Sequence, residues 1–287
     1  MQETIFTQFI LPATLAFIMF GMGLSLIKAD FSRLFLMPKP IIVGLFGQLV
    51  LLPCFALFLA IVFQAPPEIA IGMMILAACP GGSSSNLICH AIKANLALSV
   101  SLTAITTFVC VITTPMLIQL AIGLFADRQQ QYEFSLLSTS LGLIVISIVP
   151  ITIGMLIKAK RPKLASKAEP IFRKLSIVFM VVLVVLVAYQ ERQMLKDAFP
   201  DVYLYAIALN IGATLIGLVL ALLTKLSTKD AVTLGIEIGT QNASLAILIA
   251  LTFIQQAGFS VIAGVYAIVM YFGALLLILI KRSALKD

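Results

Sequence analysis

The sequence predicts an all-α integral membrane protein with nine transmembrane helices. Of the 287 residues, 61% are apolar and only 11% are charged, and the apolar residues fall into long runs. A soluble protein carries roughly a quarter charged residues, and one membrane span needs about 20 apolar residues. The composition therefore excludes a soluble cytosolic enzyme, a nucleic-acid-binding module and a disordered chain.

Charges, prolines and glycines divide the apolar sequence into nine predicted helices. Their approximate bounds are 5–27, 40–64, 68–90, 95–125, 133–158, 171–190, 200–226, 230–252 and 256–281. We do not expect the first to be a cleavable signal peptide, because it begins Met1-Gln2-Glu3 without a basic segment and is long enough to span a membrane.

The basic residues predict the orientation of the chain. With the N-terminus outside, all but three of the 19 Lys and Arg residues fall in inner loops, and an even number of spans would scramble this bias. We therefore expect a multi-pass protein of the inner (plasma) membrane with a cytoplasmic C-terminus. The basic run from Lys158 to Lys174 is suited to contact anionic membrane lipid, and no nucleic-acid partner is expected.

Polar and helix-breaking residues interrupt two of the predicted spans at mid-depth. The third span contains Ala78-Cys79-Pro80-Gly81-Gly82-Ser83-Ser84-Ser85-Asn86, and the eighth contains Glu237-Ile238-Gly239-Thr240-Gln241-Asn242-Ala243-Ser244. Proline lacks a backbone donor and glycine is a poor helix former, so the third helix should unwind at Pro80. Unwound backbone within a membrane is tolerated only where it is buried in protein or lines a cavity.

The two interrupted helices are five spans apart and therefore run in opposite directions. Helices 1–4 and 6–9 accordingly predict two inverted repeats, and interrupted helices at matching places in such repeats indicate the binding site of a secondary transporter. Free helix N-termini favour anions, whereas freed carbonyls favour cations. Two simple Pro/Gly kinks without a ligand are the structural alternative.

Glu237 is the one acidic residue that we place within the hydrocarbon depth. A carboxylate there costs at least roughly 2.5–3.5 kcal/mol, and no Lys or Arg lies at a matching depth. We therefore expect a bound cation or a proton to supply the positive charge, with a protonated structural Glu as the alternative. Na⁺ prefers oxygen ligands, which Asn86, Gln241 and nearby hydroxyls supply.

Two further features lie near these interruptions. Asn95, Ser99 and Thr103 recur every four residues on the fourth span and are expected to face the same cation. Back-bonding of the hydroxyls to the helix is the structural alternative. Gln48 on the second span is a lone buried amide, and the sequence leaves open whether it links helices or binds an ion.

These motifs resemble those of the bile acid:sodium symporter family. The resemblance covers essentially the whole chain and rests on residues 78–86, 95–103 and 237–242. It implies one transporter domain over 1–287 with a panel, a core and two crossing discontinuous helices. By analogy, helices 1, 5 and 6 (about 5–27, 133–158 and 171–190) form the panel. Helices 2–4 and 7–9 (about 40–125 and 200–281) form the core.

The resemblance also implies a difference in the number of spans. Bacterial members of known architecture are similar but have ten spans, and we expect this chain to begin where their second helix would begin. That start would leave nine spans, as in the animal members.

The resemblance also implies two sodium sites and one substrate site. One Na⁺ would be bound by Ser85, Asn86, Ser99, Thr103 and Glu237. The second would be bound by Gln48, Glu237, Gln241 and the backbone of Ile238 and Thr240. The substrate anion would lie near Ser83, Ser84 and Asn242.

The sequence thus predicts a sodium-coupled symporter that imports an organic anion, such as a bile acid or a small carboxylate, by alternating access. The expected partners are that anion, sodium ions and membrane lipid, and the sequence indicates no protein partner. A proton-coupled carrier that uses Glu237 as the proton site is the alternative. A channel is less favoured, since no ring of charges is present. An enzyme is not expected, because the GGSSS stretch lacks the G-x-S-x-G spacing and no base lies at depth.

Overall fold

The computed structural model describes residues 6–126, 132 and 134–284, with side chains from residue 8 to residue 277 within those ranges. This part of the chain is helical, and its β-type pairing is limited to one isolated bridge. The all-α prediction is therefore confirmed for the described residues.

Six helices make up the first half of the chain. They are α1 (Gln8–Gly23), α2 (Lys28–Leu36), α3 (Pro38–Val62), α4 (Pro67–Ala78), α5 (Ser83–Ala91) and α6 (Leu96–Phe125). The first predicted span, expected to reach residue 27, ends at Gly23, and the axis of α2 is bent by 63° from that of α1.

Seven helices follow in the second half. They are α7 (Leu136–Lys160), α8 (Pro162–Gln190), α9 (Arg192–Asp197), α10 (Asp201–Leu223), α11 (Thr228–Gly239), α12 (Ala243–Phe253) and α13 (Val261–Ala284). A 3₁₀ turn at Ala257–Ser260 leads into α13.

The sixth predicted span begins earlier than expected. Helix α8 starts at Pro162 rather than near residue 171, so most of the basic run from Lys158 to Lys174 is helical. Proline is well tolerated in the first turn of a helix, because its missing N–H would have no intrahelical partner there.

Six of the described helices are long and apolar enough to cross a membrane without interruption. They are α3, α6, α7, α8, α10 and the helix that includes the turn before α13; α1 with α2 makes a seventh if the bent pair is counted as one span. The third and eighth predicted spans are not continuous helices, since each is broken in two.

Four π-helical turns occur among the described residues, at Gly47–Leu51 inside α3, at Ile144–Ile148 inside α7, at Ile249–Phe253 at the end of α12 and at Phe6–Ile10 where α1 begins. In the first two, a proline follows by two residues, Pro53 and Pro150. Proline has no N–H to donate to the carbonyl four residues earlier. A π-helical turn, in which hydrogen bonds span five residues, gives such free carbonyls another backbone donor.

Two sets of helices are neighbours in the fold. Helices α1, α7 and α8 contact one another, and α3, α4, α6, α10, α11 and α13 form a second set. The two sets also touch, since α6 contacts α7 and α8 contacts α13. The most extensive contact joins α10 to α11. The broken helices α4–α5 and α11–α12 contact members of the second set, and α12 also contacts α1.

Candidate functional site

The breaks between α4 and α5 and between α11 and α12 lie against each other. The amide of Gly82 donates to the carbonyl of Thr240 at 3.0 Å, and the amide of Asn242 donates to the carbonyl of Pro80 at 3.0 Å. The predicted unwinding at Pro80 is therefore present. Each break supplies hydrogen-bond partners for the other, which is how non-helical backbone is satisfied away from water.

Glycine is required at the point where the two segments cross. Gly81 forms an antiparallel bridge with Gln241, and a Cβ atom at Gly81 would lie 2.7 Å from Oε1 of Glu237. A non-bonded carbon and oxygen do not approach so closely without displacement. The absence of a side chain at this position thus permits Glu237 to lie directly against the first break.

Side chains from other helices donate hydrogen bonds to the backbone carbonyls that the first break leaves without a helical partner. The hydroxyl of Thr114 donates to the carbonyl of Ala78, and Nε2 of Gln48 lies 3.2 Å from the carbonyl oxygen of Cys79. Gln48 lies within the π-helical turn of α3 and is 2% exposed. Gln48 therefore links α3 to the end of α4.

Asn210 and Tyr266 form hydrogen bonds with the free carbonyl at the end of α11. Nδ2 of Asn210 lies 2.8 Å and the hydroxyl of Tyr266 lies 2.9 Å from the carbonyl oxygen of Gly239. Asn210 also accepts from the amide of Gly273 at 2.8 Å. Asn210 is not among the residues predicted from the sequence, although it is a lone amide in an apolar span, the same signal that singled out Gln48.

Glu237 is buried, at 2% exposed, among oxygen atoms from three helices. Its Oε2 lies 2.6 Å from the hydroxyl of Ser99, and its Oε1 contacts the hydroxyl of Thr103. Ser99 also lies 2.8 Å from Oδ1 of Asn86. Ser85 is buried at the start of α5, where its hydroxyl donates to the carbonyl of Gly82. The five residues predicted for the first sodium site thus lie around the crossing.

This cluster contains more acceptor oxygens than hydroxyl protons. Ser99 has one proton but faces both Asn86 and Glu237; Thr103 has one proton but faces both Glu237 and the carbonyl of Ser99 at 3.0 Å. Within the described residues, Glu237 takes part in neither of the two ion pairs. A negatively charged cluster that lacks protons is a favourable site for a cation or for one further proton.

The residues predicted for a second sodium site are adjacent but pair with one another. Nε2 of Gln48 lies 2.7 Å from Oε1 of Gln241, and Nε2 of Gln241 lies 2.7 Å from the carbonyl oxygen of Ile238. The carbonyl of Thr240 accepts from an amide in the other break. The Thr240 hydroxyl, by contrast, is buried and has no hydrogen-bond partner, which is rare for a buried polar atom.

The spacing of Asn95, Ser99 and Thr103 led us to expect all three on one face of α6. In the structure, Asn95 does not share the face of the other two. Its Oδ1 caps α6 by accepting from the amide of Leu98, and its Nδ2 donates to Asp230 at 2.7 Å. Asn95 is the N-cap residue, whose backbone is not helical, so the helical spacing does not extend to it.

The three residues predicted for substrate binding line one cavity of about 60 Å³, which holds a few water molecules or a carboxylate group. Ser83, Ser84 and Asn242 contribute to its wall, with further residues from both breaks and from α1, α8 and α13. Ser83 begins α5, whose N-terminus favours an anion. The Asn242 side chain accepts from the amide of Leu245, so this oxygen caps α12.

Residues 12–198 match the family described as the Sodium Bile acid symporter family. An uncharacterized sodium-dependent transporter, YocS, from Bacillus subtilis is 33% identical to the chain over 241 residues, which is 82% of this chain and 72% of that protein. The ileal sodium/bile acid cotransporter of Homo sapiens is 26% identical over 82% of this chain and 67% of its own length.

A plant relative is longer than this chain. The probable sodium/metabolite cotransporter BASS1 of Arabidopsis thaliana, a chloroplast protein, is 27% identical over 81% of this chain but only 56% of its own length. The names of all three relatives describe sodium-dependent transport, and those of two describe cotransport.

Proposed function

The chain belongs to the sodium bile acid symporter family, and from this premise we propose that it imports an organic anion together with Na⁺. The names of its relatives support a sodium-coupled transporter and favour a transporter over an enzyme. The single observation that carries the proposal is the buried carboxylate of Glu237 among oxygen atoms that outnumber their protons. The proposed cargo is a bile acid or a small carboxylate.

The first Na⁺ would occupy the centre of this cluster. Hydroxyl, amide and carboxylate oxygens are the ligands that hard cations prefer, and the proposed ligands supply all three kinds: Ser85, Asn86, Ser99, Thr103 and Glu237. A cation there would compensate the buried charge and permit both hydroxyls to turn their protons away from it. It would also join α5, α6 and α11.

The second Na⁺ would lie on the other side of Glu237. Its proposed ligands are Gln48, Glu237, Gln241 and the carbonyls of Ile238 and Thr240. Each of these carbonyls accepts one hydrogen bond and retains a second lone pair. The unpaired hydroxyl of Thr240 supports a ligand at this position, since an ion would supply the partner it lacks.

We propose nine spans arranged as two inverted repeats. The two broken helices would each count as one span, in addition to the six continuous ones and α1. The connections 63–66 and 224–227 have equal length and each contains one residue with positive φ. The same number of residues separates Gln64 from Lys225, Pro67 from Thr228 and Ala78 from Gly239.

The hydrogen bonds at the two breaks support the same repeat. Gln48 of α3 donates to the carbonyl of Cys79, just after α4, and Asn210 of α10 donates to the carbonyl of Gly239 at the end of α11. In each half, the helix that precedes a broken helix therefore supplies an amide to its free end. Such duplicated broken helices are typical of secondary transporters.

The packing of the helices is compatible with alternating access. We propose that α1, α7 and α8 form a panel, and that α3–α6 and α10–α13 form a core that moves against it in the plasma membrane. Ions bound at the crossing would hold the two breaks together. The excess of basic residues in the proposed inner loops favours an N-terminus outside and a C-terminus in the cytoplasm. Two Na⁺ with one monoanion would make transport electrogenic.

Uptake into proteoliposomes tests the proposal. Radiolabelled cholate and pantoate would be offered with and without an inward Na⁺ gradient, to the wild type, to Glu237→Gln and to Glu191→Gln as a matched control away from the crossing. We expect Na⁺-dependent uptake that Glu237→Gln abolishes and Glu191→Gln retains. Equal uptake in Na⁺-free buffer would contradict sodium coupling. Full Na⁺ dependence in Glu237→Gln would contradict the site.

Proton coupling is the second candidate, because one added proton would also relieve the cluster around Glu237. An inward pH gradient without Na⁺ separates the two candidates. Uptake driven by that gradient and lost in Glu237→Gln would favour a proton-coupled carrier, whereas uptake that requires Na⁺ at every pH would exclude it.

A further inference from the structure

The cavity beside the crossing has a wall that the sequence analysis did not assign. Four residues of α8 line it together with the serines of the first break, and they follow the spacing of one helical face: Arg173, Ser176, Ile177 and Met180. Helix α8 therefore presents a continuous stripe to the cavity that also contains the N-terminus of α5. The stripe is polar at Arg173 and Ser176 and apolar at the other two positions.

Arg173 is the one charged side chain among the described residues that line this cavity. The other lining groups are apolar side chains, hydroxyls, amides and glycine backbone. Glu237 does not line the cavity, although it lies close to Gly81, the neighbour of the lining residue Gly82. An anion in the cavity would therefore meet one full positive charge on α8, in addition to the helix N-terminus at Ser83.

The present partner of Arg173 is easily replaced. Its Nη1 lies 3.4 Å from Oε1 of Glu169, one turn earlier on the same helix, and the two side chains are 44% and 25% exposed. An exposed pair of this kind contributes little to stability. The guanidinium offers two parallel N–H donors that match a carboxylate, so a carboxylate of the cargo can take the place of Glu169.

We infer that Arg173 binds the carboxylate of the transported anion and sets the preference of the carrier for anions over neutral molecules of the same shape. This inference rests on the proposed function. It adds a substrate-binding residue on α8, a helix that carries none of the proposed sodium ligands. The anion would then bridge α8 and the crossing. Its charge would be recognised by Arg173 on α8, whereas the sodium ions would be bound by the helices that form the crossing.

The test compares charged and neutral ligands of one shape. Na⁺-driven uptake of radiolabelled pantoate would be measured in proteoliposomes with the wild type, Arg173→Gln, Arg173→Lys and Lys174→Gln. Lys174 is the adjacent basic residue on α8, is exposed and does not line the cavity. Unlabelled pantoate and its neutral amide, pantoamide, would compete with the label, and radiolabelled cholate with its carboxamide would serve as a second pair.

We expect Arg173→Gln to raise KM about tenfold, as is usual for loss of a hydrogen bond between charged groups. The ratio of the inhibition constants of amide and acid should fall by a similar factor. Arg173→Lys should keep part of this ratio, and Lys174→Gln should keep all of it. A merely structural role would lower the maximal rate without changing the ratio.

An unchanged ratio in Arg173→Gln, with Na⁺-dependent uptake intact, would overturn the inference and leave the proposed function standing. Wild-type uptake that ignores the Na⁺ gradient would instead overturn the proposed sodium coupling. A wild-type carrier that moves neither anion would contradict the proposed cargo class and, with it, the role of Arg173.

Discussion

The hydroxyl of Ser99 lies 2.6 Å from Oε2 of Glu237 and connects α6 to α11 in the interior of the protein. Asn86 of α5 approaches the same hydroxyl at 2.8 Å. The single hydroxyl proton of Ser99 cannot serve both acceptors, so at this contact one acceptor oxygen receives no proton from Ser99.

Replacement of Ser99 by Ala should weaken sodium binding. The variant loses one of the oxygen ligands proposed for Na⁺ and a hydrogen bond to a carboxylate, so we expect the Na⁺ concentration for half-maximal uptake to rise about tenfold. Thr106→Val is the matched control, because the hydroxyl of Thr106 donates to the carbonyls of Leu102 and Thr103 on its own helix rather than to Glu237. Equal Na⁺ dependence in Ser99→Ala and the wild type would contradict this role.

Gly81→Ala should abolish Na⁺-dependent uptake, because its methyl group would lie 2.7 Å from a carboxylate oxygen of Glu237. Gly123→Ala on α6 provides the control, since a Cβ there meets nothing within 4 Å. That variant should keep its activity and gain about 0.5–1 kcal/mol from the better helix former. Uptake and thermal unfolding in detergent measure both outcomes, and an active Gly81→Ala protein would argue against the tight crossing.

Thr240→Val tests whether the buried hydroxyl of Thr240 is a sodium ligand or simply an unpaired polar group. Without an ion, replacement of an unpaired buried hydroxyl by a methyl group should leave stability unchanged or raise it. With an ion, Thr240→Val should lose part of the stabilisation by Na⁺ in thermal unfolding, whereas Thr139→Val should not. Thr139 on α7 is also a buried hydroxyl without a partner, but it lies outside the two breaks. If Na⁺ raised the unfolding temperature of both variants by the same amount, the Thr240 hydroxyl would be excluded as a ligand.

Asn210→Leu should destabilise the fold. The change removes donors to the carbonyls of Gly239 and Met270 and the acceptor for the amide of Gly273, all of them buried. Each lost hydrogen bond is worth about 0.5–1.5 kcal/mol, and the Gly239 carbonyl keeps only the hydroxyl of Tyr266, so a clear drop in the unfolding temperature is expected. Gln119→Leu, at an exposed position of α6, should leave that temperature nearly unchanged. A fully stable Asn210→Leu protein would show that these carbonyls find other partners.

The sequence indicated both breaks and the residues around Glu237, because the relevant signals are local. A proline followed by paired glycines disrupts a helix in any context, and a carboxylate in an apolar span requires compensation wherever it lies. The start of α8 was placed too late, because charged residues next to an apolar run obscured a helix that begins at Pro162. Asn95 was grouped with Ser99 by spacing alone, although it caps the helix.

The sequence by itself determined the all-helical membrane class and the two interrupted helices, since composition and backbone preference decide these features residue by residue. Only the tertiary structure showed that the interruptions pair through Gly82 and Asn242, that Asn210 satisfies the end of α11, and that Arg173 shares a cavity with Ser83. These relationships join residues far apart in the chain. They depend on which helices become neighbours, and that choice is made by packing between surfaces rather than by any local pattern.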